Sequence, residues 1–390
     1  MQIVCHAFPA WEGNYLKSTV ELMKQLAKRG HDVIYVDYAY TWKDVIWAIL
    51  GKNQAPWKHI LGLRPRLRKI PVVGSGSLYV LSLPPTMPVN FIKNPRVFDF
   101  LCALQSGPIR HAIRSAMRRV GFHKPLYVNA FNPVYGVQIV DKIDFSRRIY
   151  YCYDEISAAH WAARYGARLE ARFVTSCDAV VVSSAGLQTK MQALHPQVTV
   201  VNNGVDFAAF NRPVPADLLP AIPGLMSGQR VIGYVGSIDD RLDYDILEQL
   251  FHTFTAHLFV FTGRIASEAI RARLAQFPNV YLSGPKPATD LPGWVQQMDV
   301  CLIPFVKNKF TAAIYPLKIN EYLAAGKPVV STHFAALPEF EQVVFFSNAE
   351  NFESAVHAAL EIKQNTEYQL FAQKNDWSER AAQFEKVCLN

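Results

Sequence analysis

Tyr315-Pro316-Leu317-Lys318-Ile319-Asn320-Glu321-Tyr322-Leu323-Ala324-Ala325-Gly326-Lys327-Pro328-Val329-Val330-Ser331-Thr332 reads as a short helix running into a buried strand, and the rest of the 390-residue chain is organised around it. Pro316 suits the first helical turn, where a missing N–H costs nothing, and Gly326 followed by Pro328 marks the stop. The expected helix is about three turns long. Ile319, Tyr322 and Leu323 share one side, while Lys318 and Glu321, three apart, share another. Lys318 stands in the first turn, where unsatisfied N–H groups and the positive helix end favour phosphate, and Glu321 lies one turn deeper. Such a pair can hold a diphosphate and a ribose. The alternative is an exposed ion pair on a packed helix.

At this length two domains are expected. Half the residues are hydrophobic and 18% are charged, a balance that excludes a disordered chain. No apolar run approaches the ~20 residues that span a bilayer. Met1-Gln2-Ile3-Val4-Cys5 has neither a basic leader nor a long apolar core, so it reads as the first strand of a cytoplasmic protein. Cys5, Cys102, Cys152, Cys177, Cys301 and Cys388 show no CxxC spacing and mostly sit in apolar runs, as buried thiols of a reducing compartment do. The eleven histidines show no HxxxH or HxH pairing. Neither a metal site nor a cofactor is expected.

The formal charge is +8, unevenly spread: between Gly51 and Pro125 thirteen bases face one acid, Asp99, and the rest of the chain is mildly acidic. No RNP-like, helix-turn-helix or zinc-finger pattern accompanies these bases, so nucleic acid is not the expected partner. Residues 41–70 mix Trp42, Trp47, Trp57 and aliphatics with bases. They read either as a segment lying on an anionic membrane surface or as an irregular insertion with its tryptophans in the core. From Pro108 to Val120 a helix is expected, with Ile109, Ile113 and Met117 in its buried stripe and Arg110, Arg114 and Arg118 on the opposite face. That row is an anion track for lipid headgroups or a pyrophosphate-linked acceptor, or else a solvated face.

Gln2 to Tyr38 reads as strand, helix and strand, a βαβ unit that requires a parallel sheet. Ligands meet such sheets at the carboxyl ends of the strands. The loop holding Gly13 and Asn14 is therefore a candidate acceptor contact, or a plain turn. By the same rule Asp154, following the strand through Tyr153, is a candidate general base, or a helix cap for residues up to Trp161. Val198 to Phe207 is a strand running into an Asn202-Asn203-Gly204 turn. A second βαβ series begins at Arg230 and continues through strands ending near Gly263 and Gly284.

The pattern Pro-Leu-Lys-x-x-Glu-Tyr-Leu-Ala-x-Gly-Lys-Pro-Val-Val-Ser-Thr resembles the nucleotide-sugar segment of GT-B glycosyltransferases, especially bacterial polysaccharide enzymes of the glycogen-synthase-like and teichuronic-acid types. The resemblance implies an α/β chain of two Rossmann-like parallel-sheet domains facing a central cleft. Residues 1–204 would be the basic acceptor domain and residues 205–375 the nucleotide-sugar domain. Residues 376–390 would be a terminal helix returning to the first, anchored by Trp377. Lys318, Glu321 and the neighbouring Tyr315 fall on the donor side. Gly236-Ser237 resembles the family's phosphate-approaching loop, where many members put arginine after the glycine. Here Arg241 or Arg264 is left to fill that role. The loop at Pro285 would meet the nucleotide base through backbone atoms. Asp154 resembles the aspartate assigned as base in exopolysaccharide glucuronosyltransferases.

One departure concerns the Glu-x7-Glu pair of retaining relatives. Counting back from Glu321 gives Ala313, so retaining and inverting outcomes both stay open. The implied activity is metal-independent transfer of a hexosyl-type sugar from a nucleotide-diphosphate donor to a lipid-linked or polysaccharide acceptor, at the inner face of the cell membrane. Its rivals are an epimerase on the same fold, a degenerate sugar-nucleotide-binding protein and a nicotinamide oxidoreductase. The last needs a GxGxxG, and Gly74-Ser75-Gly76-Ser77-Leu78-Tyr79 lacks the third glycine and a following helix.

Overall fold

The computed structural model describes residues 1–13, 17–158, 162, 164–362 and 365–390. It divides into two compact units, Met1–Asn202 with Arg380–Asn390, and Asn203–Glu379. The crossings at 202/203 and 379/380 stand beside the expected 204/205 and 375/376. Asn14, and residues 159–161 of the helix expected after Asp154, lie outside the described residues, while Ile156–Ala158 forms a 3-10 turn.

The first unit holds β1 (Gln2–Ala7), β2 (Asp32–Val36), β3 (Leu67–Ile70), β4 (Leu78–Leu81), β5 (Leu126–Ala130), β6 (Arg147–Cys152), β7 (Ala179–Val182) and β8 (Val198–Val200). They form one sheet in the order β3-β4-β2-β1-β5-β6-β7-β8. Only the edge pair β3–β4 is antiparallel among them. Continuous β-branched runs such as Ala179–Val182, buried at every position, are what a parallel sheet covered on both faces demands. The helix Ser18–Lys28 supplies the crossover from β1 to β2, burying Val20, Leu22, Met23 and Leu26.

Two expectations change here. Residues 41–70 are an ordered helix Trp42–Ile49, a one-turn helix Trp57–Ile60 and strand β3. Thr41 and Asp44 close the first helix with a reciprocal capping box, and Val45 is its single buried residue. The helix expected from Pro108 begins at Pro95 and runs 26 residues to Val120. Asn94 caps it, and Pro108 sits inside. An interior proline costs about 3 kcal/mol. Burial of Phe98, Cys102, Ile109, Ile113 and Met117 along one stripe offsets that cost.

Gly74 and Gly76 lie in the β3–β4 hairpin. A Cβ on Gly76 would come 2.2 Å from the His31 carbonyl oxygen, so the glycine permits packing against the turn after Lys28. No helix follows the pair, which removes the dinucleotide reading of this stretch.

The second unit holds β9 (Val231–Val235), β10 (Leu258–Thr262), β11 (Val280–Gly284), β12 (Val300–Ile303), β13 (Val329–Thr332) and β14 (Phe345–Ser347), all parallel, in the order β11-β10-β9-β12-β13-β14. The chain winds one way from β9 and then the other way from β12. That reversal opens a crevice at the carboxyl ends of β9 and β12, and an equivalent one lies between β1 and β5.

The helix Trp377–Leu389 starts in the second unit, where Asp376 accepts from Ser378 N and Oγ and Trp377 N donates to the Val205 carbonyl at 3.0 Å. Its later residues Ala381, Phe384 and Cys388 belong to the core of the first unit, with Phe384 edge-on to Tyr151. There Glu385 pairs with Arg29 and His31. Among the described residues no helix is long and apolar enough to cross a membrane.

Candidate functional site

Strand β9 is followed by Gly236, whose φ of +143° only glycine tolerates readily. Tyr234 on that strand donates its hydroxyl to the Ser237 carbonyl at 2.9 Å and fastens the loop. Lys318 Nζ donates to the same hydroxyl at 2.7 Å and lies 4.1 Å from the Tyr234 ring centre and 4.9 Å from that of Phe305. A Cβ at Gly236 would come 2.6 Å from Lys318 Nζ. Gly263, at the end of β10, has φ +154°, and its Cβ would fall 1.9 Å from the Gly236 carbonyl oxygen. Gly236 N bonds the Thr262 carbonyl and Gly263 N that of Gly284, so neighbouring strand ends meet backbone to backbone beside the ammonium. This is a side-chain-free edge with one cation aimed along it.

The helix carrying Lys318 spans Leu317–Ala324, about two turns rather than three, with Pro316 as its cap residue. Gly326, at φ +71°, ends it. Tyr322, which the sequence places in the apolar stripe, also accepts the Val235 N–H at 2.8 Å and so pins the helix to the end of β9. No period in the sequence reports that bond.

Burial pushes the Lys318 ammonium down to about 7, helped by the Arg241 charge and opposed by Glu321 and Asp239. Burial likewise pushes Glu321 up to about 7 against the pull of Lys318. Both side chains keep part of their surface accessible, yet protein surrounds them at interior density, and the shifts follow that density. Among the described residues neither makes a salt bridge, so the exposed-ion-pair alternative is not the arrangement found. An anion beside Lys318 would favour its ammonium, and hydrogen-bond donors at Glu321 would favour its carboxylate.

Of the two candidate arginines, Arg241 is near enough to disturb Lys318. Asp239 grips it through Nε at 2.8 Å and Nη2 at 2.7 Å. Arg264 is exposed, and its carbonyl bonds Ile238 N. Pro285 is exposed just past β11. Tyr315 is a core residue instead: its ring packs on Phe340 at 5.5 Å and its carbonyl accepts from Asn203 Nδ2 at 3.1 Å. Ala313 is buried in a short turn ordered by Thr311 and Asn308. A cavity of about 540 Å³ opens beside that loop at the ends of β12 and β13. Lys307, Ala312, His333, Leu337 and Glu341 are among its lining residues.

In the first unit the loop after β1 reaches Gly13, at φ +135°. Asp37, at the end of β2, organises it by accepting from Trp11 N at 2.7 Å and Tyr38 N at 2.8 Å. The Lys17 ammonium donates to the carbonyls of Ala10 and Glu12, and Arg68 pairs with Glu12 at 2.9 Å. Burial pushes Asp37 up to about 6 despite those N–H donors. The rule that singled out Asp154, an acid at a parallel strand's carboxyl end, also applies to Asp37 and was not used for it. His6 is held neutral, pushed down to about 3 by burial, with Tyr127 Oη at 2.9 Å and Asn132 Nδ2 at 3.2 Å. Above this network Phe8, Tyr38, Met87, Asn90, Asn132 and Tyr135 line a cavity of about 90 Å³ at the crevice between β1 and β5.

Asp154 follows β6 by two residues and accepts Glu155 N on Oδ1 at 2.8 Å. Beneath it Lys190 bridges two buried carboxylates, Glu155 at 2.7 Å and Glu170 at 2.8 Å, and Tyr150 donates to Glu170 at 2.7 Å. The proposed arginine track breaks up. Arg110 donates to the Gln138 carbonyl at 3.1 Å and Arg114 to that of Lys142, at and beyond the carboxyl end of the helix Pro133–Ile139, where orphan carbonyls attract cations. Arg118 remains exposed. Among the described residues no cluster of His, Cys, Asp or Glu is arranged to hold a metal ion.

Residues 229–362 match the family of glycosyl transferases group 1. A Bacillus subtilis (strain 168) protein named as a teichuronic acid biosynthesis glycosyltransferase is 27% identical over 190 residues, 46% of this chain and 47% of the relative. The match thus spans about half of the relative's length. Sucrose-phosphate synthase from Thermosynechococcus elongatus superimposes with a TM-score of 0.72 at 15% identity, over 99% of this chain and 97% of its own. An Escherichia coli trehalose-6-phosphate structure bound with UDP-2-fluoro glucose gives 0.66 at 10% identity, over 100% and 99%. The fold is that of the GT-B class.

Proposed function

We propose, proceeding from a GT-B fold whose residues 229–362 match the glycosyl transferases group 1 family, that this protein moves a sugar from a nucleoside-diphosphate donor to a lipid-linked or polysaccharide acceptor in bacterial cell-surface glycan synthesis. The observation that carries this reading is Lys318 Nζ seated on Tyr234 against Gly236, at the crevice where the second sheet reverses direction. The ammonium neutralises the leaving diphosphate, and Glu321 accepts from the ribose hydroxyls. Backbone at Gly236, Gly263 and Gly284 lets the nucleotide approach without side-chain hindrance.

In the transfer the bond from the anomeric carbon to the diphosphate oxygen breaks and one from that carbon to the acceptor oxygen forms. The acceptor proton passes to a base, for which Asp154 is the candidate in an inverting displacement. Aromatic faces and amides around Phe8, Tyr38 and Asn132 suit a saccharide acceptor. The teichuronic acid relative and the UDP-2-fluoro glucose bound to a structural neighbour support the glycan and nucleotide-sugar parts of the reading.

Thermal unfolding with UDP, GDP and ADP tests the donor site: one is expected to stabilise wild type, and Lys318→Ala and Glu321→Ala to lose the shift. If none stabilises it, or both variants respond as wild type does, the donor assignment fails. Labelled nucleotide sugars with and without membrane extract test the reaction. Epimerised nucleotide without transfer would identify an isomerase instead.

A further inference from the structure

Twelve of the eighteen large hydrophobic side chains left exposed among the described residues lie between Trp42 and Leu104. Their placement is periodic. On the helix Trp42–Ile49, Val45 turns inward while Trp42, Ile46 and Ile49, at four- and three-residue steps, stand 45%, 53% and 53% exposed. On the helix Pro95–Val120 the same spacing brings Val97, Phe100 and Leu104 to one side, with Phe100 and Leu104 66% and 64% exposed. An ordinary amphipathic helix hides such a stripe; these two display it. Trp42 N donates to the Thr86 carbonyl at 3.0 Å and Met87 N to the Gln105 side chain, so adjacent residues of one connecting segment are tied to both helices.

The face of the long helix does not stop at Leu104. Continued by three- and four-residue steps it passes Pro108 and reaches His111, Ser115 and Arg119, which wall a groove of about 590 Å³. Arg64 and Arg66 form the opposite wall, Leu67, Leu81 and Ala116 also line it, and no carboxylate does. Arg66 is held in place by bonds to the Ile60 carbonyl through Nε at 3.3 Å and Nη2 at 3.0 Å.

We infer that this face docks on an anionic phospholipid bilayer, with Phe100, Leu104 and the Trp42–Ile49 stripe in the headgroup–acyl boundary and Arg64, Arg66 and Arg119 holding a phosphate-bearing headgroup in the groove. The charge argues for lipid over a second copy of this chain. The groove carries Arg64, Arg66 and Arg119 and no carboxylate, so a second copy would bring the same sign against it, whereas an anionic leaflet complements it. The aromatic and aliphatic composition matches what enters the interface. The inference deepens the lipid-linked acceptor reading on which it rests, since Met87 belongs both to the apolar face and to the lining of the Phe8–Tyr38 cavity.

Co-sedimentation with vesicles of phosphatidylglycerol mixed with phosphatidylcholine, against phosphatidylcholine alone, tests it. Wild type is expected to pellet with the anionic vesicles and to be released by salt. Arg64→Ala and Arg119→Ala are each expected to weaken partitioning by about fivefold. Phe100→Ser with Leu104→Ser should abolish it, and vesicles should blue-shift tryptophan fluorescence in wild type but less in Trp42→Phe/Trp47→Phe. Nucleotide-induced thermal stabilisation, measured on every variant, reports folding and the donor site separately. If wild type fails to pellet, if the variants pellet equally well, or if inorganic phosphate binds at Arg64 and Arg119 while vesicles do not, the inference is overturned and the donor reading is untouched.

Discussion

Binding of a nucleoside-diphosphate sugar should change the protonation of the donor crevice with a sign that depends on pH. With Lys318 near 7 in the free protein, only about a tenth of its ammonium is present at pH 8. A diphosphate brought against it restores the charge, so binding should draw in about 0.9 proton at Lys318. Glu321, also near 7, is by then mostly ionised and can release only about 0.1. Net uptake at pH 8 is therefore about 0.8 proton per nucleotide. At pH 6 the balance reverses: Lys318 is already charged, while Glu321 gives up its proton as ribose hydroxyls bond the carboxylate. A release of about 0.8 is expected there. Titration calorimetry in two buffers of different ionisation enthalpy measures both numbers. A diphosphate sugar has no titrating terminal phosphate, which keeps ligand protons out of the balance. Lys318→Arg, permanently charged, should bind without uptake at pH 8. No uptake in wild type, or equal uptake in Lys318→Arg, would refute the reasoning.

Three further outcomes follow from the same geometry. Lys318→Met should raise the Tm of the free protein at pH 7 and below, where the lowered ammonium pKa costs stability in full, and lose that gain as pH rises toward 10.5; equal gains at pH 7 and pH 10 would contradict it. Gly263→Ala, whose methyl would meet the Gly236 oxygen, should destabilise by about 2 kcal/mol or more in denaturant unfolding and abolish nucleotide binding, and an unaltered midpoint would count against the backbone stacking described. Lys190→Met should cost about 3 kcal/mol by leaving Glu155 and Glu170 buried without their cation, with partial recovery on adding Glu155→Gln and Glu170→Gln.

Much of the second unit was legible because its signals are local. The Pro-to-Gly helix, the β-branched runs and the glycines after them each act within a few residues, and they located Lys318, Glu321 and Gly236. Tyr315 was misplaced because adjacency in the chain says nothing about which way a ring turns; it packs on Phe340. Arg110 and Arg114 were misjudged for a related reason. The carbonyls that hold them, Gln138 and Lys142, lie 28 residues away, and no periodicity within one helix reveals a neighbour's carboxyl end.

The sequence by itself determined the two parallel-sheet units, the helix that carries Lys318 and Glu321 and the alanine at 313, since hydrophobic period, turn chemistry and residue spacing are properties of short stretches. Only the tertiary structure decided that Lys318 rests on Tyr234 and is pushed toward neutrality, that Asp37 holds the loop after β1, and that two apolar helix faces remain uncovered beside a basic groove. Burial, dielectric surroundings and the partner of a side chain depend on residues brought together from distant parts of the chain, and a linear pattern does not contain them.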